Sequence, residues 1–521
     1  MQSSPMPFKI LALAPFQLDD EIWTQSPVSI DNMDLDAAMD ELGISFYLPI
    51  PADLCPAGGL NIEFSKLKDF HPDALVQNNP FLRHLLEAKN YLTGTETKTL
   101  SAQEKTQGLK QWPDLPLIQI KSEKKDSKPQ STGAIDNILD MIALPDESPG
   151  PSPKFQTESA QIDSILQQVL NHIFSHEKFR RSETAWRGLK LLLQQSAGDS
   201  DVKLDIVPVT LNTLEEILDN LTADLIQNLP SLILIDLPFD NSPFCIKLLE
   251  KISQLAEILL VPAMVWITPR FMQIDTWKDL NKLPFLPHFL EEPSFAKWIG
   301  LKNQRSANWL AITCNRFLAR YPYGSENKPR KFPFYEHLLP WTSPVWASAC
   351  LISQSFIKTG WPTRFTEWQE IKIENLAFDA KSALRPIPTE VSLTEDRIDQ
   401  FRRAGIMPIA AMQNKDVAFI PAETTMGGVS LSYQLLVSRI TQFILWCRDN
   451  LSKNLEGAEL EQGLRQEFSL FWGKSGHAGP DNLEISAGHP RPDNQIPLRI
   501  DIQPSRKILP SGEKIVLEFS W

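Results

Sequence analysis

The run Leu232-Ile233-Leu234-Ile235-Asp236 is apolar at successive positions rather than at alternate ones. A strand that is apolar on both faces has to be covered on both faces, which is the requirement of a central strand in a layered α/β sheet. The flanking sequence supplies the cover. Ile246, Leu248, Leu249, Ile252 and Leu255 recur at helical spacing, and Pro262-Ala263-Met264-Val265-Trp266-Ile267 is a further strand run, as is 204–209. Strand, helix, strand in that order predicts a parallel sheet within 156–370.

At 521 residues the chain exceeds one core and suggests roughly two to four domains. Residues 1–92 read as a small α/β unit. It has a strand at Phe8-Lys9-Ile10-Leu11-Ala12-Leu13 and a helix over 34–42, with Asp31 or Asn32 as a possible cap. Strands at 44–50 and 60–64 flank Gly58-Gly59, and a helical run follows His71-Pro72. Residues 93–155 are rich in Lys, Ser, Thr, Gln and Pro and read as a flexible linker. Two islands interrupt it, a short strand at Leu117-Ile118-Gln119-Ile120 and an amphipathic helix with Ile135, Ile138, Leu139 and Ile142 on one face. Residues 371–521 carry helices over 394–404 and 429–451. They end in two strand runs, 498–502 and 514–519, read as a hairpin with a long loop at Pro510-Ser511-Gly512. The expected fold is mixed α/β (α+β): several small α/β domains joined by linkers, with a terminal β-hairpin.

Composition narrows the function. The net charge of −13 is a poor match for nucleic acid or an anionic membrane. Five widely spaced cysteines with no C-x-x-C argue for free thiols in a reducing compartment. The N-terminus lacks a basic n-region and a cleavage site, and the longest apolar runs fall short of the ~20 residues that cross a bilayer. A cytoplasmic protein without membrane insertion is expected. His172 and His176 lie four apart but no third metal ligand follows. Gly473-Lys474-Ser475 lacks the earlier glycine of a phosphate loop, since Phe468 stands there. Trp266, Trp277, Trp298, Trp309, Trp341, Trp346, Trp361 and Trp368 scatter over separate elements and suit core packing better than a ligand stack.

The stretch Phe179-Arg180-Arg181-Ser182-Glu183-Thr184-Ala185-Trp186-Arg187-Gly188-Leu189-Lys190 closes a helical face formed by Ile162, Ile165, Leu166, Val169, Leu170 and Ile173. It resembles the signature of the large subunit of the type VI secretion contractile sheath. Further stretches resemble that family in order. They are Trp277-Lys278-Asp279-Leu280, Glu292-Pro293-Ser294-Phe295-Ala296-Lys297-Trp298, Asn315-Arg316-Phe317-Leu318-Ala319-Arg320-Tyr321-Pro322-Tyr323-Gly324, Trp346-Ala347, Gly360-Trp361, Pro388-Thr389-Glu390-Val391 and Gly405-Ile406-Met407-Pro408-Ile409. The first ~92 residues are similar to the small sheath subunit, through Pro7-Phe8-Lys9-Ile10, Ser65-Lys66-Leu67-Lys68-Asp69-Phe70-His71-Pro72 and Leu85-Leu86-Glu87-Ala88-Lys89-Asn90. The chain resembles a fusion of the two subunits. It departs at Ser343-Pro344-Val345-Trp346, where the family carries asparagine, and in a shortened small-subunit part.

The resemblance implies a structural protomer without active site or cofactor, in bacterial cytoplasm. Copies would polymerise by strand exchange into a helical sheath around an inner tube of ring proteins, joined to a baseplate, and contract to drive the tube outward. Fusion would fix the subunit ratio and set an effective concentration of roughly millimolar. Trp186, Arg187, Gly188, Arg316, Phe317, Arg320, Tyr323 and Gly324 carry the signature. Arg316 and Arg320 either meet a carboxylate across a domain seam or form a solvated helix face. Phe8, Ile10, Ile118, Ile120, Ile500, Ile502, Val516 and Leu517 are the candidates for strand exchange. The terminal hairpin either accepts a neighbour's strand or completes its own sheet. The helix with Ile135, Ile138, Leu139 and Ile142 lies where the family is read by a recycling AAA+ ATPase, or it packs on its own domain. Two other readings are a divergent sheath-like cap or assembly adaptor, and a hydrolase or nucleotide-binding enzyme on the 200–270 sheet. The last needs a phosphate loop or convergent polar groups, and the sequence offers neither.

Overall fold

The computed structural model describes residues 6–17, 23, 26–30, 34–118, 158–196, 201–378, 386–451, 457–474, 479–489 and 495–521. At its centre lies a seven-stranded sheet. In chain order its strands are β1 (Phe8–Ala14), β2 (Val28–Ser29), β5 (Val202–Pro208), β6 (Leu232–Phe239), β7 (Ala263–Ile267), β8 (Leu310–Cys314) and β11 (Ile406–Pro408). They are arranged β11-β8-β7-β6-β1-β5-β2, all neighbours parallel except β2 against β5. The run at 232–236 is therefore a central strand, and the parallel pairing expected from strand–helix–strand order is present.

The sheet crosses the expected boundaries at 92 and 370. β1, from the small-subunit-like part, lies between β5 and β6, and β11 comes from the last part. β1 is apolar on both faces, so it can only be central. Phe8, Ile10, Ala12 and Ala14 enter one core, and Leu11 and Leu13 enter the other. Local periodicity announces such a strand but not its neighbours, which stand about 190 and 220 positions further along the chain.

The first core is closed by the N-terminal hairpin β3 (Ile44–Pro49) and β4 (Gly59–Phe64) with the helices Pro72–Asn78 and Pro80–Thr93. The long helices Glu158–Ser175 and Glu177–Gln195 and the helix Pro344–Thr359 pack on the same side. The second core lies under the helices Leu214–Gln227, Pro243–Leu259, Leu431–Asn450 and Gly457–Lys474. Short pairs complete the chain: β9 (Phe317–Leu318) with β10 (Trp341–Thr342), and β12 (Ala410–Ala411) with β13 (Ala418–Phe419).

Two expectations are corrected, and a third, the terminal hairpin, is present with an added strand. The helix at 35–42 is capped by Asp34, whose Oδ1 accepts from Ala37 N at 3.0 Å, and not by Asp31 or Asn32, which lie outside the described residues. The linker expected from 93 is folded as far as 118. Ser101 and Glu104 form a capping box for the helix Ala102–Leu109, and Trp112 Nε1 donates to Glu87 at 3.0 Å. This helix buries none of its own residues, so its polar composition imitated a linker. Finally, the terminal hairpin β15 (Pro497–Gln503) and β16 (Ile515–Ser520) is joined by β14 (Asn482–Ala487) in a three-stranded antiparallel sheet ordered β14-β15-β16. β14 is half-exposed and alternating, with little apolar signal.

Candidate functional site: the joint between the two parts

The helix Glu177–Gln195 buries Phe179, Glu183, Trp186 and Gly188, and each of these four meets residues from elsewhere in the chain. Phe179 lies 5.8 Å from Phe64 and 5.4 Å from Phe70, both from the small-subunit-like part, and 4.9 Å from Phe174. Phe64 and Phe70 stack at 4.2 Å. Trp186 Nε1 donates to the carbonyl of Phe16 at 3.0 Å, and its ring packs at 4.9 Å from the Phe16 ring. The carbonyl of Phe16 lies just past the end of β1, so this bond pins the strand where it leaves the sheet.

Gly188 is small for a reason. A Cβ there would stand 2.4 Å from the ring of Trp346. That ring cannot retreat easily, because Trp346 Nε1 donates to Asp236 Oδ2 at 2.6 Å while Trp266 Nε1 donates to Oδ1 at 3.0 Å. Burial pushes the Asp236 carboxyl up from its ordinary value, and the two indoles supply its partners.

The third component is ionic. Glu183, fully buried, accepts from Arg320 at 2.7 and 3.1 Å and from Arg187 Nε at 2.8 Å. Arg320 also donates to Glu336 at 2.7 and 2.8 Å and lies 4.2 Å from the centroid of the Tyr323 ring. Burial works against the Glu183 charge, but the Arg320 and Arg187 guanidiniums outweigh it and hold the group at about 2. Burial also lifts the Tyr323 phenol to about 12. Tyr323 in turn meets His71 edge-on at 5.2 Å, and Asp73 accepts from the backbone N–H of Arg330 and Lys331 at 2.9 and 3.3 Å. Gly324 N closes the turn on Asn327 O at 3.1 Å.

The motifs of the two parts thus converge on one joint. Trp186, Arg187, Gly188, Arg320 and Tyr323 meet there, with Gly324 in the adjoining turn. Arg316 stands apart and makes a bidentate pair with Glu390, at 2.9 and 2.7 Å. Neither arginine is on a helix: they flank β9, whose Phe317 is buried. Asn315, at φ 71°, bonds Val391 and Ile409, which ties three of the large-part motifs together. Phe16, Asp73, Asp236 and Glu336 were missed as site residues. Asp236 had a signal, a carboxylate in an otherwise apolar strand. The others sit in unremarkable local sequence.

The strand-exchange candidates separate. Phe8 and Ile10 lie on β1, which is paired on both sides within the chain, so they offer no free edge. This corrects the expectation for them, and the reason is that both neighbours of β1 are supplied in cis. Ile500 and Ile502 are on the central strand β15, and Val516 and Leu517 on the outer strand β16. Leu117 is fully exposed, and neither it nor Ile118 is in a strand. Ile120 and the helix with Ile135, Ile138, Leu139 and Ile142 lie outside the described residues. His172 Nε2 meets the carbonyl of Pro49 at 2.9 Å, and among the described residues no group of three or more His, Cys, Asp or Glu could hold a metal. A polar cleft of about 700 Å³ borders Asp40, Glu63 and Asp69. No helix of the described residues is long and apolar enough to cross a membrane.

Two family models match the chain. Residues 156–228 and 230–426 match VipB, the EvpB/VC_A0108 tail sheath N-terminal domain. Residues 1–112 match the type VI secretion system family VipA, VC_A0107 or Hcp2. The type VI secretion system sheath protein TssC1 of Pseudomonas aeruginosa PAO1 is 25% identical over 298 residues, covering 51% of this chain. The chain spans 60% of the length of that relative. Among solved structures, the contracted helical sheath of the anti-feeding prophage aligns with 65% of this chain and 78% of its own, at 11% identity and a TM-score of 0.34. With more than half of its residues matched by the sheath domain, the chain belongs to the type VI secretion tail sheath family.

Proposed function

We propose that this chain is a structural protomer of a type VI secretion contractile sheath, with a small-subunit-like part and a large-subunit-like part in one polypeptide. The observation that carries the reading is the joint: residues of both parts bury one another around Phe179 and Trp186. Copies polymerise by adding an extended strand to the terminal β14-β15-β16 sheet, since main-chain pairing gives repeated directional contacts. Heterologous contacts of that kind do not close and so generate a helical tube. The tube surrounds an inner tube of ring proteins, rests on a baseplate, and lies in the bacterial cytoplasm. A recycling AAA+ ATPase reads the segment 135–142. The chain performs no catalysis. Electron microscopy of the purified chain tests this: long hollow tubes are expected. Discrete particles of fixed size would instead favour a cap or adaptor, and turnover of a nucleotide or ester that depends on polar residues of the 200–270 sheet would overturn the structural reading.

A further inference from the structure

The short helix Pro72–Asn78 separates two exposed surfaces of opposite charge. On one side lies a loop. Asp73 accepts from the backbone N–H of Arg330 and Lys331 at 2.9 and 3.3 Å, and Lys331 Nζ donates to Gln77 at 3.4 Å. Pro329 is buried, while Lys328, Arg330 and Lys331 are exposed and make no ion pair among the described residues. The loop thus presents three cations on a pinned backbone, with one exposed acid, Glu326, beside them. The other side borders the polar cleft of about 700 Å³, which Leu75 and Asn78 help to line. Asp40, Glu63 and Asp69 line it and no cation does, while Ile62, Phe64 and Leu75 give it a buried apolar floor. Asp69 is engaged by the backbone N–H of Ser65 and Lys66, at 3.0 and 2.9 Å. Asp40 and Glu63 are exposed and in no ion pair among the described residues.

Such a cleft suits a lysine or arginine. The aliphatic stem lies on the apolar floor while the charged head reaches the carboxylates. The loop of the same copy is not placed to supply it. At about 3.6 residues per turn, Asp73 and Gln77 lie roughly 150° around the helix from Leu75 and Asn78, so loop and cleft sit on opposite sides of it. Complementary surfaces on opposite sides are what a head-to-tail contact between copies needs, and such a contact repeats without closing. The pinned backbone lowers the entropy lost when the loop docks. A nucleic acid is a poorer partner for the loop. Three cations beside Glu326 are few for a phosphate backbone, and the chain as a whole carries −13.

We propose that the loop 328–331 of one copy of this chain docks in the acidic cleft of the next, with its cations against Asp40 and Glu63. This rests on the sheath reading above and adds to it an ionic contact outside the terminal sheet.

Exposed side chains can be exchanged with little effect on folding. A cleft variant, Asp40→Lys with Glu63→Lys, and a loop variant, Lys328→Glu with Arg330→Glu, should each keep the circular dichroism and melting of the unaltered chain. Each should lower the yield of sedimentable polymer at least ~tenfold, because like charges then meet across the contact. A chain carrying both sets should recover most of that yield. A readout without variants is carbodiimide coupling in polymer grown from a mixture of isotopically light and heavy copies. It should join Lys328 or Lys331 to Asp40 or Glu63 in pairs of mixed label. Polymer yields like the unaltered chain from both variants, no recovery in the combined chain, or coupled pairs of single label only would overturn the contact and leave the sheath reading standing. Loss in the cleft variant beside a normal yield from the loop variant would mean that another cation fills the cleft, and would overturn the loop assignment. An unaltered chain that forms no polymer at all would overturn both.

Discussion

Glu183 and Arg320 illustrate how much one pair can decide at the residue scale. Each is almost fully buried, and each has more than one opposite charge to satisfy it. Replacing both by apolar groups could be tolerated, but removing one partner leaves a buried charge alone. Arg320→Ala should lower stability by about 3–5 kcal/mol, measured by denaturant unfolding. The pH dependence follows from the sign of the Glu183 shift. Its folded value of about 2 lies below its ordinary value of 4.5, so its contribution is complete above the ordinary range and is lost as pH falls through the folded value. Unfolding midpoints should decline from roughly pH 4.5 towards 2, and Glu183→Gln should flatten that decline. Gly188→Ala should drive a methyl against the Trp346 ring and cost about 1–3 kcal/mol, read as a lower melting temperature. An unchanged melting temperature would mean that Trp346 can leave Asp236 freely.

At the scale of elements, β1 gives the sharpest expectation. A strand paired in parallel on both sides cannot be removed without splitting the sheet into β6 and β5 portions. Deleting residues 1–14 should give insoluble or unfolded protein; if the N-terminal part were an independent domain, the remainder would stay folded. What could be read from the sequence follows the range of the forces involved. β6, the helix at 395–404 and the helix at 431–450 were legible because periodicity and capping are local. The neighbours of β1 were not, because a ladder between Phe8 and Val202 leaves no trace in either segment alone. β14 escaped because only Ile485 of its six residues is fully buried. The joint was half legible: the signature named Trp186, Gly188 and Arg320, but their partners Phe16, Asp236 and Glu336 become evident only in three dimensions.

At the scale of the whole molecule, the two sheath-like parts form one folding unit. They share a central sheet and a core on one side of it. That can be tested by placing a specific protease site between Lys125 and Asp126, cutting the folded chain, and separating the products by size under native conditions. The two fragments should travel together in equal amounts at the size of the uncut protein and part only in denaturant. Release of the N-terminal fragment as a folded species on its own, with the larger fragment still folded, would contradict it.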